Sequence, residues 1–474
     1  MNSTRTARAG RRSLLPLILL VLLVAPGVTH GQTDPVGRWE GAIKLPGLDL
    51  GVIVQLDRQA DSLRGTIDIP MQMAKGLRLQ DVGSAGGMVH FSLKAGPGLA
   101  NFVGTIAGDS ISGIFTQATV RCPFILRKAA PPAAEVLPYH AEEVAIRSGG
   151  VTLGGTLTRP EGSGPFPAVV LLTGSGAQNR DEEIFGFAPF RILADSLTLA
   201  GFAVLRCDDR GVGGSTGTYA EATTDSFAAD ARAQMAYLAS RADIRSDAIG
   251  VLGHSEGALA AVMLSAAHHD VAFAVLLAGP AVAGADIILG QVERMAHAGG
   301  ASDSAVAAAV VSQKQVFAVV RADTGWDGLR AMLLATMRES AASLTPEQRA
   351  SAGITDSVVA ARVDAQLAAV RSPWFRRFIS YDPAGDIAAI TCPVLALFGS
   401  LDMQVPVDQN RPALESIVTS SGRTTITIRT IEGANHLFQQ ARTGAPTEYG
   451  TLAKAFIPGL PAIISSWMSR VVHH

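Results

Sequence analysis

The chain has 474 residues, 48% of them apolar and 17% charged, which excludes a wholly disordered chain and exceeds what one hydrophobic core usually organises, so two folded units are expected. Its 39 basic and 41 acidic side chains leave a formal net charge of -2. Binding to nucleic acid needs a clear excess of Lys and Arg, so a neutral or weakly polar small molecule is the better-matched partner.

Arg5, Arg8, Arg11 and Arg12 precede an unbroken apolar stretch from Leu14 to Val24, followed by small and polar residues through Gly31. This is the pattern of a secretory signal peptide over residues 1–31, and it predicts an exported protein, periplasmic or secreted. The apolar run is shorter than the roughly 20 residues that cross a bilayer, so no stable membrane insertion is expected after cleavage. Arg11 and Arg12 ahead of Ser13-Leu14-Leu15 also permit twin-Arg export.

From about Gly37 to Lys128, short alternating runs such as GVIVQLD, GTIDIP, MVHFSL, NFVGTI and ISGIFTQ are broken by Gly and turn residues, which predicts a small antiparallel β-domain over 37–128. The Pro- and Ala-rich stretch ending at Pro138 reads as a linker over 129–138. Beyond it, over 139–474, a hairpin (EEVAIRSGGVTLGGTLTRP) leads into apolar strands alternating with helices: PAVVLLTG, FAVLRCD, IGVLGHS, VAFAVLLAG, PVLALFGS and TTITIRTI. Runs apolar at nearly every position belong to strands covered on both faces, so the fold class is α/β with a mostly parallel sheet. The alternation stops between about 283 and 378, where Ala-rich helical segments predict a cap insertion. The three cysteines, Cys122, Cys207 and Cys392, form neither a disulfide framework nor a metal-ligand cluster. Cys207 and Cys392 are expected on different strands of one sheet, as small buried hydrophobes.

Gly253-His254-Ser255-Glu256-Gly257 falls where the strand IGVL ends and the helix ALAAVMLSAAHH begins. A strand-to-helix turn this tight leaves no room for side chains two residues either side of the serine, and it aims the Ser255 hydroxyl out of the sheet at a helix N-terminus. A serine hydroxyl needs a His to take its proton and an acid to orient that His. Asp402 follows the strand PVLALFGS, and His436 follows TTITIRTI, so all three groups fall at the carboxyl ends of strands, where ligands bind in such sheets. The oxyanion formed on attack needs two amide donors. Glu256 N–H is one candidate; the other comes from Thr173-Gly174-Ser175-Gly176, with Ser175 N–H favoured and Gly176 as the alternative. Such a cycle requires no metal or organic cofactor.

The run Asp208-Asp209-Arg210-Gly211-Val212-Gly213-Gly214-Ser215 lacks the residues of a P-loop or a dinucleotide fold, and reads as a turn whose Asp and Arg pin loops around the site. Gln178-Asn179-Arg180-Asp181-Glu182 either lines the substrate entrance or is a solvated polar loop. Trp374, Phe375 and Phe378 either wall an acyl pocket or pack the cap on the sheet.

Taken in order, TGSGAQNRDEE, RCDDRGVGGSTG, GHSEG, LLAGP, CPVLALFGSLDMQVP and ANHLFQQARTGAPTEYG resemble bacterial serine esterases of the α/β-hydrolase superfamily, notably exported carboxylesterases with a small β-domain ahead of the catalytic domain. The resemblance implies Ser255 as nucleophile, Asp402 as acid and His436 as base, acting on acyl esters. Thr173 departs from the His common at that position. The signature region is also similar to prolyl-oligopeptidase-like and serine-aminopeptidase-like proteins, which leaves peptidase action on small peptides as the alternative. Glu256, Asp181 and Glu182 are then the carboxylates available to hold a substrate ammonium.

Overall fold

A computed structural model describes residues 34–45, 48–59, 62–69, 74–95, 98–117, 120–129, 137–351, 353–422 and 425–473. The signal peptide read at 1–31 and most of the linker at 129–138 lie outside them. The described residues fall into two compact units, each with its own sheet.

The first unit holds β1 (Gly37–Leu45), β2 (Leu48–Gln59), β3 (Ser62–Ile69), β4 (Ala74–Arg78), β5 (Gln80–Ala85), β6 (Met88–Ala95), β7 (Gly98–Ala107), β8 (Ser110–Gln117) and β9 (Val120–Lys128). They form one nine-stranded sheet in the order β4-β3-β2-β1-β9-β8-β7-β6-β5. The paired registers from β5 to β9, and from β9 through β1 to β2, are antiparallel. Alternation along β7 and β9 sends every second side chain inward, so Phe102 packs on Phe91, Phe115 and Phe124 with ring centroids 4.7, 5.0 and 5.3 Å away.

The second unit opens with an antiparallel hairpin, β10 (His140–Ser148) and β11 (Val151–Arg159). Then follow β12 (Phe166–Leu172), α1 (Pro189–Leu199), β13 (Ala203–Cys207), α2 (Thr224–Ala239), β14 (Ile244–His254), α3 (Glu256–Ala267) and β15 (Ala274–Leu277). Among the described residues, helices alone separate β15 from the next strand: α4 (Gly284–Ala298), α5 (Asp303–Ala322), α6 (Trp326–Ala342), α7 (Pro346–Ser351), α8 (Asp356–Val370), α9 (Pro373–Ser380) and α10 (Ala384–Ala389). The chain closes with β16 (Val394–Gly399), α11 (Val407–Ser421), β17 (Ile426–Ile431) and α12 (Leu460–Val472).

The sheet order is β10-β11-β13-β12-β14-β15-β16-β17, antiparallel as far as β13 and parallel from there on. In β13, β15 and β16 every residue is buried, as strands covered on both faces require. Each fully buried Val or Leu contributes about 1.5–3 kcal/mol, so these short runs are enough to fix the centre of the sheet. Cys392 does not lie on a strand: it precedes β16, buried in the turn from α10, because the run becomes continuous sheet only at Val394.

Candidate active site

The turn from β14 into α3 brings the first site residue to the carboxyl edge of the sheet. Ser255 has φ 53 and ψ -116, a strained conformation for a residue with a Cβ. Its amide donates to Leu277 O at 2.8 Å, which ties the turn to β15. A Cβ on Gly253 would stand 2.1 Å from Gly257 O, and one on Gly257 would stand 2.1 Å from Leu172 O. Both glycines are therefore demanded by the close passage of backbone, as the motif predicts.

Asp402 and His436 follow β16 and β17, the last two parallel strands, and meet there. His436 Nδ1 lies 2.8 Å from Asp402 Oδ2, and both side chains are buried. The other carboxylate oxygen accepts from Gln404 N–H at 2.8 Å and Val405 N–H at 2.9 Å, which fixes the acid in one orientation. The loop that carries His436 folds on Asn435, fully buried, whose side-chain oxygen accepts from Leu437 N–H at 3.0 Å and Gln439 N–H at 2.9 Å. Among the described residues, Ser255 Oγ makes no hydrogen bond to His436; such contacts are commonly loose before substrate binds.

Three amides of the turn after β12 already have partners. Gly174 N–H donates to Glu182 Oε1 at 2.7 Å, Gly176 N–H to Tyr219 Oη at 2.8 Å and Gln178 N–H to Asp209 Oδ2 at 2.8 Å. Ser175 N–H donates to no described residue, and neither does Glu256 N–H at the start of α3. Both amides expected to serve an oxyanion are thus unspent. Gly176, the alternative, is already committed to Tyr219.

The polar run 178–182 is partly buried and tied into the fold by ion pairs. Arg180 pairs with Asp208 at 2.7 Å and with Glu143 at 2.5 Å, Asp181 pairs with Arg206 at 2.8 Å, and Glu182 is 1% exposed. Glu182 Oε1 lies 2.8 Å from His254 Nδ1, and His254 Nε2 lies 3.0 Å from His436 O. Sequence reading offered Glu182 only as an entrance residue or an ammonium partner, and gave His254 no role beyond its place in the elbow motif. The available signal was a polar residue, His254, at the end of an otherwise apolar buried strand, which demands a partner. That partner is 72 residues away and has no local signature.

Asp208 and Arg210 pin loops as expected, Asp208 through Arg180 and Gly214 N–H, Arg210 through a bidentate pair with Asp230. Asp209 is partly buried: Thr173 Oγ1 and Gln178 N–H both donate to it at 2.8 Å, so it clasps the two ends of the turn after β12. Burial pushes its pKa up to about 7, with the neighbouring charges of Glu182 and Glu256 adding to the rise. The Glu256 carboxyl is also raised by burial, against hydrogen bonds from Thr224 Oγ1 at 2.6 Å and from Trp374 Nε1 at 2.7 Å. Trp374, on α9, stacks on Phe378 at 5.3 Å. No group of His, Cys, Asp and Glu with the spacing of a metal site occurs among the described residues.

A strained serine on a strand-to-helix turn, with a carboxylate–imidazole pair at the ends of two further parallel strands of the same sheet, is the arrangement found in hydrolases of the α/β-hydrolase fold. Residues 188–372 match the family described as serine aminopeptidase, S33. Esterase EstD of Thermotoga maritima is 25% identical over 362 residues, which span 76% of this chain and 74% of the relative. Among solved structures, the chain resembles an esterase of Pyrococcus furiosus (17% identity, 73% of this chain and 95% of that one, TM-score 0.42). It also resembles 2,6-dihydroxy-pseudo-oxynicotine hydrolase (17% identity, 70% and 68%, TM-score 0.38).

Proposed function

We propose that the protein is an exported serine carboxylesterase, in which Ser255 attacks the acyl carbonyl, His436 takes and returns the proton and Asp402 orients His436. The observation that carries this reading is the φ 53 elbow at Ser255 beside the buried 2.8 Å pair of His436 and Asp402. Attack forms the Ser255 Oγ–acyl bond and moves the hydroxyl proton to His436; the alcohol leaves with that proton, and water then releases the acid by the same route. Ser175 N–H and Glu256 N–H supply the two oxyanion donors. Helices α4–α9 act as a cap over the site, a role supported by the hydrogen bond from Trp374 on α9 to Glu256 beside the nucleophile.

The peptidase alternative has the family description behind it. Against it, Asp181 is paired with Arg206, and Glu256 and Glu182 are buried with one carboxylate oxygen each already bonded, Glu256 Oε1 to Thr224 and Trp374, Glu182 Oε1 to His254 and Gly174. Hydrolysis of p-nitrophenyl esters of graded chain length, beside aminoacyl p-nitroanilides, separates the two. The expected result is ester turnover that falls roughly 10⁴-fold or more in Ser255→Ala, with anilides untouched. Anilide cleavage that dominates, or ester turnover that survives the substitution, overturns the proposal.

A further inference from the structure

The carbonyl oxygen of His436 can only accept a hydrogen bond, so His254 Nε2, 3.0 Å away, must carry a proton. At the other ring nitrogen, Nδ1 lies 2.8 Å from Glu182 Oε1, which also accepts from Gly174 N–H at 2.7 Å. A proton on Nδ1 as well would make His254 an imidazolium donating to a carboxylate, with Glu182 1% and His254 5% exposed. The His254 ring also lies 4.7 Å from that of His436, tilted by 50°.

We propose that Glu182 is a positioning residue for the reaction: through the charged His254 it holds the backbone of the base-bearing loop, and through Gly174 it holds the oxyanion turn. One carboxylate would then set the distance between the proton acceptor, His436, and the oxyanion donor, Ser175 N–H, around Ser255. The proposal rests on the esterase reading above. Burial by itself lowers the pKa of His254, but it is outweighed by the charge and hydrogen bond of Glu182 and by the His436 carbonyl, and the net shift is upward. The charged groups that face His254 are Glu182, from the loop after the oxyanion turn, and Asp402, from the loop after β16. His436 faces it from the loop after β17, with both its carbonyl and its ring.

The test is Glu182→Gln in the mature protein, beside Ser255→Ala, with kcat and KM for a short p-nitrophenyl ester measured from pH 5 to pH 10 and thermal stability recorded at each pH. Gln keeps an acceptor for Gly174 but cannot hold His254 charged. The expected outcome is a kcat lower by roughly 10- to 100-fold than wild type at neutral pH with KM nearly unchanged, the deficit relative to wild type at the same pH recovered in part as falling pH restores the proton to His254. His254→Asn should show the same loss without the recovery at low pH. A Glu182→Gln enzyme with wild-type kcat and pH profile overturns the proposal, and so does a loss that is equal at every pH and tracks the melting temperature. Ser255→Ala that retains turnover overturns the esterase reading itself, which separates the two failures.

Discussion

At the scale of single residues, backbone closeness and burial account for the site more than charge does. Ser255 keeps its positive φ because Gly253 and Gly257 let three backbone segments pass within contact of one another. Gly253→Ala puts a carbon 2.1 Å from a carbonyl oxygen that has no flexible end to move aside. It is expected to cost about 3 kcal/mol and to abolish turnover, a loss to be read by thermal denaturation and ester hydrolysis together. Asp209 carries a pH signature. Its folded pKa of about 7 lies above the roughly 3.9 of an unfolded aspartate, so the folded chain holds the extra proton and stability falls as pH rises between these values. Asp209→Asn should flatten that part of the melting-temperature curve, and an unchanged slope between pH 4 and pH 7 would contradict the assignment.

Elements act on the site through a few side-chain bonds. Trp374 on α9 reaches Glu256 at the start of α3, and Arg377 on the same helix pairs with Asp225 on α2 at 2.6 Å. Trp374→Phe preserves the ring beside Phe378 but removes the N–H, leaving Glu256 Oε1 with Thr224 alone. A stability loss of about 1 kcal/mol is expected, with a changed preference for acyl length in the graded ester series. Arg377→Ala breaks a pair whose partners are 34% and 53% exposed, so solvent screening limits the cost to less than about 1 kcal/mol. Turnover of the shortest ester should stay within about twofold of wild type, since a 1.4 kcal/mol effect would be needed for a tenfold change.

For the molecule as a whole, each unit builds its core without covalent staples. Cys122, Cys207 and Cys392 are free and buried, and burial pushes the Cys392 thiol up to about 11 and Cys207 up to about 12. Dithiothreitol should leave the melting temperature unchanged, and a thiol reagent should label the native chain only after unfolding. The strand runs PVLALFGS and FAVLRCD and the elbow GHSEG were legible because their signal is local: apolar at every position for a strand covered on both faces, small residues at fixed offsets for a tight turn. Asp402 and His436 were legible because chain order and strand ends fix where a partner must stand. Composition, periodicity and motif spacing thus determined the α/β class, the strands, the elbow and the strand ends at which Ser255, Asp402 and His436 stand. Only the tertiary structure decided that Ser175 N–H rather than Gly176 N–H is unspent, that Glu182 is a buried clasp and Asp209 a partly buried one, and that Cys392 stands off the strand. Each of these depends on which distant groups a residue meets, and hydrogen bonds between segments tens of residues apart leave no periodic trace in the chain.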